Sequence, residues 1–112
     1  MAEKSANKLT HPSELKAESK TEYINRGWLY YHVNDFSNSI SDFKVALEMD
    51  PEDINTMYAL GLALKAGGQS EEAKAIFTQV IDHSHVIDRS DRAQILKSLA
   101  TGHYNQIEKG TW

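Results

Sequence analysis

Tyr23-Ile-Asn-Arg-Gly27-Trp-Leu-Tyr30, then Ser39 to Phe43, then Ala46-Leu-Glu-Met-Asp-Pro51: this stretch recurs along the chain. Displaced by about 34 residues, Tyr23 meets Met57, Gly27 meets Gly61, Tyr30 meets Leu64 and Asn34 meets Gly68. Ser39 likewise meets Ala73, Phe43 meets Phe77, Ala46 meets Val80 and Leu47 meets Ile81. A fixed period of that length marks a two-helix unit that cannot bury its apolar face alone and stacks on a copy of itself.

Within the first copy, residues 20–33 read as a helix. Tyr23, Gly27 and Tyr30 line one face, and Ile24, Trp28, Tyr31 and His32 lie on the next. Two apolar stripes mean that this helix touches two different things. Arg26 interrupts the pattern. Either Glu22 one turn back is its buried partner, or, as is preferred, its stem covers apolar surface while the guanidinium reaches water. Asn34 ends the helix because asparagine tolerates the left-handed conformation of a tight turn, and Asp35 caps the next one. That helix, about 37–49, buries Ile40, Phe43, Ala46 and Leu47, with Asp42, Lys44 and Glu48 expected to face water. Asp50-Pro51-Glu52-Asp53 stops it, because Pro51 cannot continue a helix.

The second copy repeats the plan. Residues 54–66 present Met57, Leu60, Gly61 and Leu64, Gly67-Gly68 forms the turn, and Ser70-Glu71-Glu72 opens a fourth helix. Residues 83–91 break the register. A fifth helix over about 90–109 sets Leu96, Leu99, Ala100 and His103 at the offsets of Tyr23, Arg26, Gly27 and Tyr30, about five residues late. It is half a unit, as the end of a stack requires. The domain organisation expected is a flexible tail over 1–12 and a single domain over 13–112. That domain has repeats at 20–53 and 54–87 and a capping helix at about 90–109.

Bulk properties narrow the function. The 112 residues hold one domain, 40% hydrophobic and 25% charged. The net charge of −4 argues against nucleic acid or an anionic membrane surface as the main partner. No run of residues approaches the roughly 18 apolar positions of a membrane span. The N-terminal residues, charged at Glu3, Lys4 and Lys8, do not form a secretory signal, so a cytoplasmic location is the default expectation. There is no cysteine, hence no disulfide or thiol chemistry.

These motifs resemble the tetratricopeptide repeat family, whose pattern is Trp-x2-Leu-Gly-x2-Tyr, Ala-x3-Phe and Pro. The first copy here reads Tyr23-x2-Arg26-Gly27-x2-Tyr30, Ser39-x3-Phe43, Pro51. The second reads Met57-x2-Leu60-Gly61-x2-Leu64, Ala73-x3-Phe77, His85. Arg26 and His85 depart in kind. The resemblance implies an all-α fold: antiparallel helix-turn-helix repeats stacked as a short right-handed α-solenoid of about five helices. It implies a protein-binding adaptor or scaffold with no cofactor, whose concave groove takes a peptide or helix of a partner. The groove would be lined by Ile24, Trp28, Tyr31, His32, Asn55, Tyr58, Leu62 and Lys65. The Lys/Asn clamp that grips chaperone tails in one subclass falls here on Ile24, Trp28 and Ala59, which cannot hold a carboxylate. The alternative is a self-assembling unit whose groove is filled by its own N-terminal segment or by a second copy in a homodimer.

No residue pattern carries catalysis. The glycines between Gly61 and Gly68 lack a phosphate-loop lysine and a preceding strand. Glu71-Glu72 is a pair of helix N-terminal charges whose side chains diverge. Asp82, His83, His85 and Asp88 are ligand types without the i, i+4 pairing of helical zinc sites, and read as a helix C-terminus.

Overall fold

The computed structural model describes residues 11–86 and 90–110, with no account of the side chains of residues 85 and 86. Residues 1–10 of the tail expected over 1–12, and His85 and Asp88 of the ligand-type cluster, lie outside the described side chains. So does Trp112. Among the described residues five α-helices follow a 3-10 turn at Pro12–Glu14: α1 Lys20–His32, α2 Phe36–Met49, α3 Ile54–Ala66, α4 Ser70–Val86 and α5 Asp91–Lys109.

The helix ends are encoded locally. Ser19 caps α1, and Glu22 reaches back to the Ser19 backbone N–H in a reciprocal capping box. Asp35, Asp53 and Ser90 cap α2, α3 and α5 with side-chain oxygens that accept from Asn38, Asn55 and Ala93 N–H. The two tight turns are repeat-equivalent. Asn34 has φ 64° and Gly68 φ 84°. In each, the following N–H, from Asp35 or Gln69, donates back to Tyr30 O or Leu64 O, which closes the helix end.

Packing runs in sequence order: α1 on α2, α2 on α3, α3 on α4, and α5 on both α4 and α3. Each hairpin closes on a glycine–phenylalanine contact. A Cβ at Gly27 would lie 2.7 Å from Phe43 Cε1, and one at Gly61 2.6 Å from Phe77 Cε1. Both rings are fully buried. Ser39, where the repeat has alanine, is fully buried and donates its hydroxyl to Gly27 O at 2.8 Å, which satisfies it inside the first hairpin.

Three expectations are corrected. Arg26 does not simply extend its head into water. Its Nε and Nη2 donate to both Asp42 carboxylate oxygens at 2.8 Å, and Nη1 donates to Leu15 O. Asp42 is accordingly buried rather than facing water. Hydrogen bonding to Asp42 raises the Arg26 pKa against the opposing effect of burial. Second, residues 13–19, whose sequence reads as a short lead-in helix or as the first turns of the next one, are not part of α1. The 3-10 turn capped by His11 ends at Glu14, and Leu15 is extended. Third, counted from the caps Ser19, Asp53 and Ser90, the third unit starts three residues later than a strict period of about 34 requires. In that register Ala93, Leu96 and Ala100 take the places of Thr56, Ala59 and Ala63, all of them buried. Gln94, Ser98 and Thr101, which are exposed, stand where α3 has Met57, Gly61 and Leu64. The face that α3 turns to its own second helix is therefore polar in α5, as a cap needs.

Candidate functional site

The alternation of helices places α1, α3 and α5 along one side of the stack, and their side chains enclose two cavities there. The first, about 290 Å³, is lined by Ile24 and Trp28 of α1, Asn55, Thr56, Tyr58 and Ala59 of α3, and Arg92 and Leu96 of α5. The second, about 280 Å³, is lined by Tyr31 of α1, Leu62, Lys65 and Ala66 of α3, and His103 of α5. Seven of the eight residues expected in the groove thus line these two cavities. His32 does not. It is exposed at the last position of α1, its ring edge-on to Tyr31 at 6.3 Å.

The aromatic side chains are held from behind by the core. Trp28 packs edge-on against Phe43, ring centroids 5.1 Å apart, and against Tyr31 at 5.5 Å. Tyr31 packs in turn on Phe36 at 5.3 Å. Tyr58 sits 6.1 Å from the Phe77 ring. Trp28, Tyr31, Tyr58 and Leu62 are each half-buried, one side on the core and the other on the cavities. Such rings are fixed in place yet offer apolar area, which is what contact residues at an interface need.

Three functional-looking side chains come from α5 and escaped the sequence reading. His103 stacks on Phe77, rings 12° apart and centroids 5.2 Å apart. Its Nδ1 accepts from Lys65 Nζ at 2.9 Å, and its Nε2 lies 3.1 Å from Tyr58 Oη. Lys65 also donates to Gln106 Oε1. Burial lowers the His103 pKa, and the neighbouring Lys65 charge lowers it further. Burial likewise lowers that of Lys65 and raises that of Tyr58. Arg92 Nε donates to Asn55 Oδ1 at 2.7 Å, which ties the start of α5 to the start of α3. Leu96 floors the first cavity. The signal that could have found these residues is Ser90: aligned with Asp53 as a cap, it puts Arg92 at the Asn55 position. It also puts Ile95 and Leu99, 60% and 38% exposed, at those of Tyr58 and Leu62.

The described part of the N-terminal segment lies elsewhere. His11 meets the Tyr30 ring edge-on at 6.4 Å, Pro12 is buried, and Leu15 O accepts from Arg26. Residues 11–15 are thus strapped over Arg26 and Tyr30, off the two cavities. Among the described residues no three His, Asp or Glu side chains are grouped to hold a metal ion. No described helix is long and apolar enough to cross a membrane.

Models of the tetratricopeptide repeat match residues 23–53 and 43–75. A TPR repeat-containing protein of Methanocaldococcus jannaschii is 28% identical over 67 residues, which is 60% of this chain and 12% of that protein. The chain therefore spans a small fraction of the relative it matches. No solved structure is a significant match.

Proposed function

This chain belongs to the tetratricopeptide repeat family, and from that premise we propose that it is a protein-interaction module whose recognition surface is the α1–α3–α5 side of the stack. Such repeats generally mediate protein–protein interaction. The observation that carries the assignment of the surface is the row of half-buried rings. Trp28, Tyr31 and Tyr58 are braced by Phe43, Phe36 and Phe77 and open on two adjacent cavities of peptide side-chain size.

The test is capture of partners from a native lysate by the wild type and by Trp28→Ala and Tyr58→Ala, each checked for unchanged helical circular dichroism. Both variants are expected to lose the captured partners. If both capture them normally, recognition lies on another face. The rival use of the same surface, a second copy of the chain, is separated by sedimentation. A concentration-dependent dimer in which Trp28 fluorescence is shielded (measured with Trp112→Phe) would assign the face to self-association.

A further inference from the structure

Among the described residues no helix pair lies against the outer face of α1. Counted one repeat apart, Arg26, Leu29 and Val33 stand where α3 has Leu60, Ala63 and Gly67. Spaced i, i+3 and i+7, they share one face of the helix. In α3 that face is packed on the preceding pair. Leu60 and Ala63 are buried, and a Cβ on Gly67 would lie 3.2 Å from Phe36 Cβ and 3.5 Å from Ile40 Cδ1 of α2. In α1 the same face leaves Leu29 40% and Val33 52% exposed. None of these α1 residues lines either cavity of the α1–α3–α5 side.

The chain fills part of that place with its own N-terminal segment. Residues 11–15 form a turn closed by two backbone hydrogen bonds, Glu14 N–H to His11 O and Leu15 N–H to Pro12 O. Pro12 is buried, and the His11 ring stands edge-on to Tyr30. Arg26 holds the other end of the turn. Asp42 fixes its guanidinium through Nε and Nη2, which leaves Nη1 aimed at Leu15 O, 2.8 Å away. A charge-assisted bond from a guanidinium fork already held in place is stronger than a neutral one. Leucine, which α3 has at this position, could not bind a carbonyl. The departure of Arg26 from the repeat pattern thus has a use: it latches a strap of irregular chain where an earlier helix pair would stack.

We propose that His11–Leu15 is an end cap, latched by Arg26, that keeps the α1 end of the stack from pairing with the α1 end of a second copy of the chain. The two ends of the stack do not match each other. At the α5 end Gln94, Ser98 and Thr101 are exposed, and polar groups pressed dry against Leu29 and Val33 would find no partner there. Head-to-tail stacking is therefore disfavoured. The surface that complements an α1 end is another α1 end, apolar on apolar about a two-fold axis, which closes at two chains. With the strap latched only Leu29 and Val33 are on offer, far short of the roughly 1,000 Å² of a stable interface. With the strap released, Tyr30 and the Arg26 stem join them.

The experiment releases the strap in the full chain by two independent routes. Pro12→Asp puts a charge at a buried position of the strap. Arg26→Met/Asp42→Leu removes the latch without stranding a carboxylate. Circular dichroism confirms that each variant is folded, and hydrogen exchange at the Glu14 and Leu15 amides reports the strap. Both release variants are expected to lose that protection and, in sedimentation velocity, to shift from one chain to two as concentration rises, with no larger species. Adding Leu29→Glu/Val33→Glu is expected to return them to one chain, and adding Trp28→Ala is expected to leave the pair intact. Amides that stay protected when Arg26 is replaced would show that it is not the latch. Released variants that remain single chains, or a wild type that pairs as tightly through Leu29 and Val33, would show that the strap blocks nothing. A ladder of growing species would mean head-to-tail stacking instead. A pair abolished by Trp28→Ala and not by the glutamates would belong to the α1–α3–α5 face, and the proposal would fall.

Discussion

Phe77 lies so close over Gly61 that a methyl group on the glycine would sit 2.6 Å from the ring. Phe77 is fully buried and stacked between this glycine and His103, so it has little room to retreat. Alanine gains about 1 kcal/mol of helix propensity over glycine, but overpacking a core costs about 1–3 kcal/mol. Gly61→Ala is expected to be net destabilising, and Gly61→Ala with Phe77→Leu to recover part of the loss that the two single changes sum to. Urea midpoints of the four proteins measure this coupling. A Gly61→Ala protein more stable than wild type would show that the contact yields freely.

Arg26 and Asp42 form the second coupled pair. Arg26→Met strands a buried carboxylate, expected to cost about 3 kcal/mol, since breaking one side of a buried pair leaves the other uncompensated. Asp42→Ala leaves Arg26 with Leu15 O and a partial route to solvent, so its cost is expected to be smaller. Replacing both, Arg26→Met with Asp42→Leu, is expected to lie nearer the wild type than Arg26→Met alone. Additive losses in thermal denaturation would mean that the pair is not coupled.

The glycine and phenylalanine positions, though not their contact, were legible in the sequence because close approach dictates residue identity, and identity recurs one repeat later. The Arg26–Asp42 pair was not. It spans two helices, and a charged residue read within one helix offers a partner only on that helix, here Glu22. A clue was present: Arg26 precedes Gly27 and Asp42 precedes Phe43, so the contact between Gly27 and Phe43 also brings the charged pair together. The cavity-lining residues of α1 and α3 were readable as the stripe left over from packing. Those of α5 were not, because residues 83–91 shift the register and Ser90 was not aligned with the earlier caps. His32 was misplaced by proximity in sequence to Tyr31, although it stands at the helix end.

The turn glycine and its asparagine counterpart make a cleaner backbone test. Gly68 has φ 84° and no atom within 4 Å of where a Cβ would be, so Gly68→Ala clashes with nothing. Its cost is purely conformational, about 1–2 kcal/mol for an L-residue in the left-handed region. Asn34 occupies the same position at φ 64° in the first turn, and Asn34→Gly is expected to be stabilising or neutral there. Among the described residues its side chain makes no hydrogen bond that the change would remove. Thermal melts should therefore separate the two variants: that of Gly68→Ala moves downward and that of Asn34→Gly does not. An unchanged melting point for Gly68→Ala would mean that the turn relaxes out of the left-handed region at no cost.

Acid should loosen the α3–α5 contact through His103. The ring is neutral in the fold, accepting from Lys65 and lying against Tyr58 and Phe77, and burial followed by the Lys65 charge holds its pKa below the ordinary 6.5. In the unfolded chain the ring takes up its proton at about 6.5. Between that value and the lower folded one, the unfolded state binds more protons, so stability falls as pH drops and levels off once the folded ring protonates too. Above about pH 7 the ring is neutral in both states and contributes no slope. His103→Gln keeps an acceptor for Lys65 and a donor for Tyr58 without titrating. Its melting point is expected to decline less than that of the wild type between about pH 7 and pH 5. Equal slopes for the two proteins would show that His103 is not the group that titrates, and a wild type that gains stability over that window would reverse the sign of its shift.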